Sequence, residues 1–193
     1  MTLARENIVS SDSEMLILVD PDDRQTGVLS KGACHDGNGV LHRAFSVFLF
    51  DDRGRLLLQQ RAAGKRLWPK YWTNTCCSHP REGESMTLAT ERRLREELDT
   101  RSELEFVYKF EYQAQFQDRG SEHELCSVYL GRLLEPPSPN DTEIAAVRFV
   151  SAGDLHAEIA SEPERFTPWL KLEWGRLNDE FAGRLAKYTA GDA

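Results

Sequence analysis

The chain has 193 residues, of which 40% are hydrophobic and 29% charged, enough to bury one sizeable core in a single domain. Its formal net charge of -8 argues against a nucleic-acid partner, because phosphate backbones are held by clustered lysine and arginine side chains. No apolar run approaches the roughly 20 residues that span a bilayer, and the N-terminus lacks the apolar core of a signal peptide, so we expect a cytoplasmic protein without a membrane partner.

The N-terminal part of the chain predicts a short strand between irregular segments. Residues 1–13 are polar, and we expect them to form a flexible terminus ahead of a single domain at 14–193. The apolar run at 15–20 ends in turn-forming residues, which indicates a buried strand. Residues 27–42 contain several glycines and predict a connecting loop with a brief strand rather than a helix.

The middle of the chain predicts a hairpin, a loop, a strand and a helix. Two runs of β-forming residues, 44–50 and 55–60, flank a polar turn with glycine and are typical of a hairpin. Residues 61–74 predict a long loop that leads into a strand at 71–78, and long loops are often binding loops. Residues 84–98 are rich in helix-forming residues, so they predict a helix.

The C-terminal half predicts a second hairpin, one more strand and two helical segments. The hairpin strands are expected at 104–116 and 122–134, and a further strand at 144–150. Ser151 resembles the cap of a short helix. A longer C-terminal helix is expected to begin at Thr167.

The order of these elements predicts the fold class. Strands and helices are interspersed without regular βα alternation, which favours a mixed β-sheet flanked by helices. We therefore expect an α/β (α+β) fold with a mixed β-sheet core and an additional C-terminal helix. The apolar face of that helix runs from Trp169 to Phe181.

Two adjacent thiols and a histidine occur together near the end of the predicted strand at 71–78. In an extended backbone Cys77 and His79 project from the same face, and Cys76 projects from the other. The four cysteines of the chain show no zinc-ribbon spacing, so we expect free thiols. A thiol beside a histidine can act as an acid or a base, but cysteine also packs well as a small buried hydrophobe.

Two glutamates and three histidines form a candidate metal site. Glu122 and Glu124 share one face of a predicted strand, and His35, His42 and His79 flank neighbouring elements. Such a set of nitrogen and oxygen ligands suits manganese, iron or zinc, with manganese as the first choice. The alternative is that the carboxylates are solvated and that each histidine is an ordinary surface or core residue.

The charge of the chain reverses locally between Asp52 and Glu82. This stretch contains no acidic residue but seven basic ones, which are Arg53, Arg55, Arg61, Lys65, Arg66, Lys70 and Arg81. A compact basic region in an acidic protein indicates a small anion such as a phosphate or diphosphate. The charges alone favour the simpler alternative of a solvated basic loop.

The predicted helix also carries a degraded Nudix box. The residues that fit the box are Glu84, Arg92, Leu94, Glu96 and Glu97, and those that depart from it are Ser78, Arg93 and Asp99. Arginine in place of a metal-binding glutamate suits the holding of an intact diphosphate. The strings AFSVFLFDDRGRLLLQQRAAGKRLWPKYWTNTCCSHPREGES, SEHELC and FTPWL resemble the type I isopentenyl-diphosphate isomerase family of the Nudix superfamily over about residues 15–174.

This resemblance implies a Nudix-like catalytic domain and a role for each site residue. Cys77 and Glu124 match the catalytic pair, and Tyr112 and Trp169 match the active-site aromatic residues, with Trp72 as a further candidate. The residues that match the metal ligands of the family are His35, His42, His79, Glu122 and Glu124. A magnesium ion that arrives with the substrate would be held by Glu97 and the Cys77 backbone carbonyl. The residues that match the diphosphate-binding side chains of the family are Lys31, Arg61, Lys65 and Arg93.

The resemblance also implies a reaction and its cofactors. The family interconverts isopentenyl diphosphate and dimethylallyl diphosphate, small isoprenoid diphosphates, by protonation and deprotonation through a carbocation. It implies one tightly bound Mn²⁺, or Zn²⁺ or Fe²⁺ in its place, one Mg²⁺ with the substrate and no organic cofactor. The alternatives are a Nudix pyrophosphohydrolase and a non-catalytic Nudix module that binds a diphosphate. The sequence leaves the oligomeric state open.

Overall fold

The computed structural model describes residues 8–191, which form nine strands, five α-helices and a short 3₁₀ helix at Pro163–Arg165. The strands are β1 (Met15–Val19), β2 (Gln25–Ser30), β3 (His42–Phe50), β4 (Leu56–Arg61), β5 (Trp72–Thr73), β6 (Cys76–Ser78), β7 (Leu104–Gln115), β8 (Ser121–Arg132) and β9 (Ile144–Val150). The helices are α1 (Lys31–Cys34), α2 (Met86–Leu98), α3 (Ala152–Ser161), α4 (Pro168–Asp179) and α5 (Ala182–Thr189).

Strand β3 lies at the centre of a mixed sheet. It pairs in parallel with β8 along its whole length and antiparallel with β1, β6 and β4 in turn along its other edge. Strand β7 extends the sheet beyond β8, and β9 and β5 both pair with β4. The expected mixed sheet flanked by helices is confirmed.

The side chains of β3 alternate between two apolar layers. Phe45, Val47 and Leu49 pack on the side covered by α2, whereas Phe48 and Phe50 pack on the side covered by α4 and α5. Because both faces are covered, this strand reads as a nearly continuous apolar run in the sequence. All five of these side chains are fully buried.

Most of the predicted elements are present, with two differences in the helices. Residues 31–34, expected to be loop, form the single turn α1. The expected C-terminal helix is two helices, α4 and α5, separated at Phe181. Thr167 precedes α4 but makes no capping hydrogen bond, because its hydroxyl donates to the Thr73 hydroxyl at 3.0 Å.

The strand expected at 71–78 is broken into β5 and β6 by two buried polar residues. The Thr75 hydroxyl accepts from the Leu49 amide at 2.9 Å and donates to the Leu57 carbonyl at 2.7 Å. The Asn74 amide donates to the Val47 carbonyl at 3.2 Å. The chain therefore moves from pairing with β4 to pairing with β3 within two residues.

Part of the expected flexible terminus is described, and it contacts the domain. The Val9 carbonyl accepts from Arg93, and the Asp12 carbonyl accepts from the Gly32 amide, both at 3.0 Å. Residues 1–7, the rest of that segment, lie outside the described residues. Among residues 8–191 no helix is long and apolar enough to cross a bilayer.

Candidate active site

A cavity of about 480 Å³ opens between α1, the loop after β4, β6, α2, the hairpin of β7 and β8, and α4. Its walls hold most of the expected site residues, which are Lys31, His35, Arg61, Lys65, Cys77, His79, Arg93, Tyr112, Glu122, Glu124 and Trp169. His42 and Glu97 are buried and do not line it.

The three histidines and two glutamates converge from four separate elements. The nearest ligand atoms of all five lie within 4.8 Å of one another, and all five residues are buried. His35 Nε2 lies 2.8 Å from Glu122, and His79 Nε2 lies 2.7 Å from Glu124. Such a group can hold a metal ion.

The outer nitrogens of two imidazoles are held by backbone carbonyls. His35 Nδ1 lies 2.7 Å from the Lys31 carbonyl, and His42 Nδ1 lies 2.7 Å from the Val40 carbonyl. A hydrogen bond from Nδ1–H to a carbonyl fixes the tautomer and leaves the Nε2 lone pair for the centre of the cluster. Within residues 8–191 the buried His42 Nε2 has no hydrogen-bond partner, as expected for a nitrogen that can bind a cation.

The electrostatics of the cluster also fit a cation. Burial, together with His35, lowers the pKa of His42 to about 4, so this imidazole is neutral as a ligand must be. Burial, with the adjacent charge of Glu122, raises the pKa of Glu124 well above its usual range. A divalent cation between them would reverse this repulsion and favour both carboxylates.

Cys77 faces the cavity from β6 and is surrounded by polar groups. Its Sγ lies 2.6 Å from Asn74 Oδ1, and it accepts from the indole N–H of Trp169 at 3.2 Å. Burial, and then the nearby carboxyl of Glu173, raise the pKa of the Cys77 thiol. Cys76 projects to the opposite side and packs in the apolar layer beneath α2.

A hydroxyl and a carboxylate form a second acid–base group on the β7–β8 wall of the cavity. The Tyr112 hydroxyl donates to Glu124 Oε2 at 2.6 Å, and both residues are buried. The two residues are cross-strand partners in β7 and β8. Thus Glu124 has contacts with Tyr112 through one oxygen and with His79 through the other.

The four cations expected to contact a diphosphate line another part of the cavity. Arg93 is only 2% exposed, so it does not form the ordinary surface ion pair with Glu97 that helical spacing alone suggests. It contacts Glu97 and also Glu143, whose same oxygen is paired with Lys65. Burial, with the charge of Lys65, lowers the pKa of Lys31 to about 8.

Arg61, the fourth cation, is held between a backbone carbonyl and an aromatic ring. Its Nη2 donates to the Leu67 carbonyl at 3.0 Å, and its guanidinium lies 5.3 Å from the centre of the Trp169 ring. This cation–π contact joins the cationic part of the cavity to the aromatic part. Trp72, the further aromatic candidate, does not line the cavity, because its ring stacks under Arg148.

Sequence reasoning missed three buried polar residues in or beside the site. Glu143 lines the cavity between Lys65 and Arg93, Asn74 contacts Cys77, and the fully buried Glu173 contacts the thiol of Cys126. Asn74 lies within the string shared with the family, which was a usable signal. Glu143 and Glu173 are single acids without a motif, and only the fold brings them to the site.

The sequence is similar to those of several known proteins. Residues 40–170 match the model of the NUDIX domain. Isopentenyl-diphosphate Delta-isomerase from Serratia proteamaculans is 46% identical over 177 residues, which cover 92% of this chain and 98% of the relative. Isopentenyl-diphosphate Delta-isomerase 1 from Photorhabdus laumondii is 41% identical over 166 residues, 85% of this chain and 94% of the relative.

Solved structures show the same fold at lower sequence identity. The crystal structure of DR0079 from Deinococcus radiodurans superposes with a TM-score of 0.63 at 24% identity. The match covers 77% of this chain and 90% of that protein. At this identity the likeness extends to the fold alone.

Proposed function

The chain belongs to the isopentenyl-diphosphate Delta-isomerase family, and we propose that it interconverts isopentenyl diphosphate and dimethylallyl diphosphate with Cys77 and Glu124 as its acid–base pair. One observation carries the proposal. The Cys77 thiol and the Tyr112–Glu124 pair line the same cavity, which also contains four cations suited to a diphosphate. A hydrocarbon tail bound there would lie between two proton-transfer groups.

The chemistry requires both groups. An unactivated alkene is a weak base, and its protonation yields a tertiary carbocation that must lose a different proton to move the double bond. Two acid–base groups at different positions can add one proton and remove another. The raised pKa of Cys77 keeps its thiol protonated near neutral pH, and Glu124, which accepts a hydrogen bond from Tyr112, can take up a proton as a carboxylate.

The cavity walls would protect and stabilise the cationic intermediate. Trp169 presents an indole ring to the cavity and is fixed by its N–H bonds to Thr73 and Cys77. A desolvated cation–π contact stabilises a cation by about 2 kcal/mol. Buried aromatic walls also exclude water that would trap the carbocation.

The substrate diphosphate would bind to Lys31, Arg61, Lys65 and Arg93. Lys65 and Arg93 already pair with the buried carboxylate of Glu143, and Lys31 lies 3.9 Å from the partly buried carboxylate of Glu14, so these side chains are ordered before the anion arrives. Ordered cations lose little conformational entropy on binding. A magnesium ion bound with the diphosphate would be held by Glu97 and the Cys77 backbone carbonyl.

The cluster of His35, His42, His79, Glu122 and Glu124 fits one tightly bound divalent cation, for which we propose Mn²⁺, with Zn²⁺ or Fe²⁺ as alternatives. The bound cation would supply positive charge that lowers the pKa of Glu124 and fixes its orientation. A cytoplasmic location, and the lack of a nucleic-acid or membrane partner, remain part of the proposal.

The proposal is tested by deuterium exchange. The protein, incubated with Mg²⁺, Mn²⁺ and isopentenyl diphosphate in heavy water, is expected to incorporate deuterium and produce dimethylallyl diphosphate. Cys77→Ala should abolish both. Cys76→Ala is the matched control, since that thiol packs in the opposite apolar layer and should leave the exchange intact.

Three outcomes would contradict the proposal. Full exchange in Cys77→Ala would exclude the thiol from the chemistry. Release of phosphate or pyrophosphate without isomerisation would indicate a pyrophosphohydrolase, and ligand binding without any turnover would indicate a diphosphate-binding module. The position of Arg93 disfavours hydrolysis, because it places a cation against Glu96 and Glu97, two carboxylates of the altered Nudix box.

A further inference from the structure

Asn74 is a fully buried polar residue at the break between β5 and β6 that the proposed mechanism does not yet use. Its Oδ1 lies 2.6 Å from the sulfur of Cys77. Its position results from the two-residue break itself, because Asn74 and Thr75 replace strand pairing by side-chain hydrogen bonds. The question is whether Asn74 only stabilises this break or also sets the geometry of the thiol.

The hydrogen bonds of Asn74 determine which of its side-chain atoms faces the thiol. Its Nδ2 donates to the carbonyls of Val47 and Cys76, both at 3.2 Å. If the amide were reversed, its oxygen would face these two carbonyl oxygens and neither contact would be a hydrogen bond. The oxygen of Asn74 therefore points at Cys77.

The hydroxyl of Thr73 confirms this orientation from the other side. It accepts from Trp169 Nε1 at 2.8 Å and from the Thr167 hydroxyl at 3.0 Å. Its own hydrogen is then free to donate to Asn74 Oδ1, at 2.8 Å. Each donor in this chain of hydrogen bonds, from Trp169 and Thr167 through Thr73 to Asn74, has an acceptor, so the direction of the bonds is fixed.

The sulfur of Cys77 has its two shortest hydrogen bonds with unlike partners, Asn74 and Trp169, and longer contacts with the hydroxyls of Ser46 and Thr73 at 3.7 and 3.8 Å. Asn74 Oδ1 accepts the thiol hydrogen, while the indole N–H of Trp169 donates to the sulfur at 3.2 Å. One partner is anchored to the main chain of β3 and the other to α4. A cysteine side chain has a single χ1 rotation, and two contacts from different elements restrict it to one rotamer.

We propose that Asn74 is a positioning residue that holds the Cys77 thiol in the rotamer facing the substrate cavity. This inference rests on the proposed role of Cys77 in the reaction. Asn74 acts through the thiol and does not itself line the cavity. Its loss should therefore slow the chemical step and leave substrate binding unchanged.

Thr75 provides a matched control. It is equally buried, belongs to the same break and makes two hydrogen bonds to the main chain, neither of which reaches Cys77. Thr75→Val removes these bonds with little change in shape. If the break matters only for the fold, Asn74→Ala and Thr75→Val should have the same effect on turnover.

The experiment measures kcat, KM and the urea midpoint for wild type, Asn74→Ala, Thr75→Val and Cys77→Ala. We expect Asn74→Ala to lower kcat by about 10- to 100-fold, as for a misplaced reacting group. KM should change by no more than about twofold, because the diphosphate contacts remain. Thr75→Val should lose stability and keep its kcat.

The result would overturn the inference if Asn74→Ala kept the wild-type kcat, or if both variants lost kcat equally. Asn74→Ser provides a second variant if the alanine variant does not fold. We expect the same loss of kcat with little change in KM, because serine is too short to reach the sulfur. A wild-type enzyme without exchange, or an active Cys77→Ala, would instead refute the proposed function. The two failures are therefore distinguishable.

Discussion

Glu173 is a fully buried carboxyl on α4, and it makes a pH-dependent contribution to stability that can be tested. Burial raises its pKa from 4.5 to about 8, and Oε2 has no hydrogen-bond partner among the residues that the structure describes. Its Oε1 lies 3.5 Å from Cys126. Near neutral pH the native protein therefore keeps this carboxyl protonated. We consider Glu173→Gln, which retains the size and neutrality of the protonated acid.

The sign of the effect follows from proton binding in the two states. Between pH 4.5 and 8 the native state holds the proton on Glu173, whereas the unfolded chain releases it. Unfolding then releases a proton, so the free energy of unfolding falls as the pH rises. Between pH 5 and pH 8 the loss is about 4 kcal/mol, at about 1.4 kcal/mol for each pH unit. The glutamine variant lacks this loss.

The assay is urea unfolding of both proteins at pH 5 and pH 8 under the same metal conditions. The difference between the proteins isolates Glu173, because the other titrating groups are shared. Burial raises the pKa values of three neighbouring groups, Cys77, Tyr108 and Cys126, so these side chains do not titrate between pH 5 and pH 8 in the native protein. Glu173→Gln should be the more stable protein at pH 8. Parallel loss of stability in both proteins would refute the reasoning.

Three further substitutions or treatments test other parts of the site. Arg93→Glu restores the Nudix-box glutamate but removes the cationic partner of Glu97 and leaves Glu143 with Lys65 alone, so it should cost about 3–5 kcal/mol in urea unfolding and abolish pyrophosphate binding in calorimetry. Trp169→Phe keeps an aromatic ring but removes the N–H that donates to the proposed catalytic thiol. The free energy of unfolding should fall by about 1–2 kcal/mol and deuterium exchange should slow. Unchanged exchange would contradict this prediction. A chelator should lower the thermal unfolding midpoint of the wild type, and added manganese should restore it. The midpoint of His42→Ala should change with neither the chelator nor manganese.

Much of the site was predictable because its residues are related by short, regular spacings. In a strand, residues two apart share a face, which placed Glu122 with Glu124 without knowledge of the fold. The run at 44–50 identified the central strand because both of its faces are apolar. The helix that carries Arg93 was predictable from its composition, with its start misplaced by two residues.

The remaining features depend on contacts between distant parts of the chain. The strand break at Asn74 was not predictable, because it arises from bonds to carbonyls of β3 and not from the local sequence. The burial of Arg93 follows from Glu143, which lies 50 residues further along the chain. Glu173 likewise reaches Cys126 from a helix 47 residues away. No periodicity in a single element encodes such pairs.

The placement of the cysteines has a practical consequence for chemical labelling. Cys34, Cys76 and Cys126 are buried in apolar or packed surroundings, and only Cys77 is partly exposed, on the wall of the cavity. One sulfur of the native protein is therefore accessible to a small alkylating reagent, and the raised pKa of its thiol makes that reaction slow. Its reaction rate would report directly on occupancy of the cavity, and a reporter group could be attached there without first removing the other three thiols.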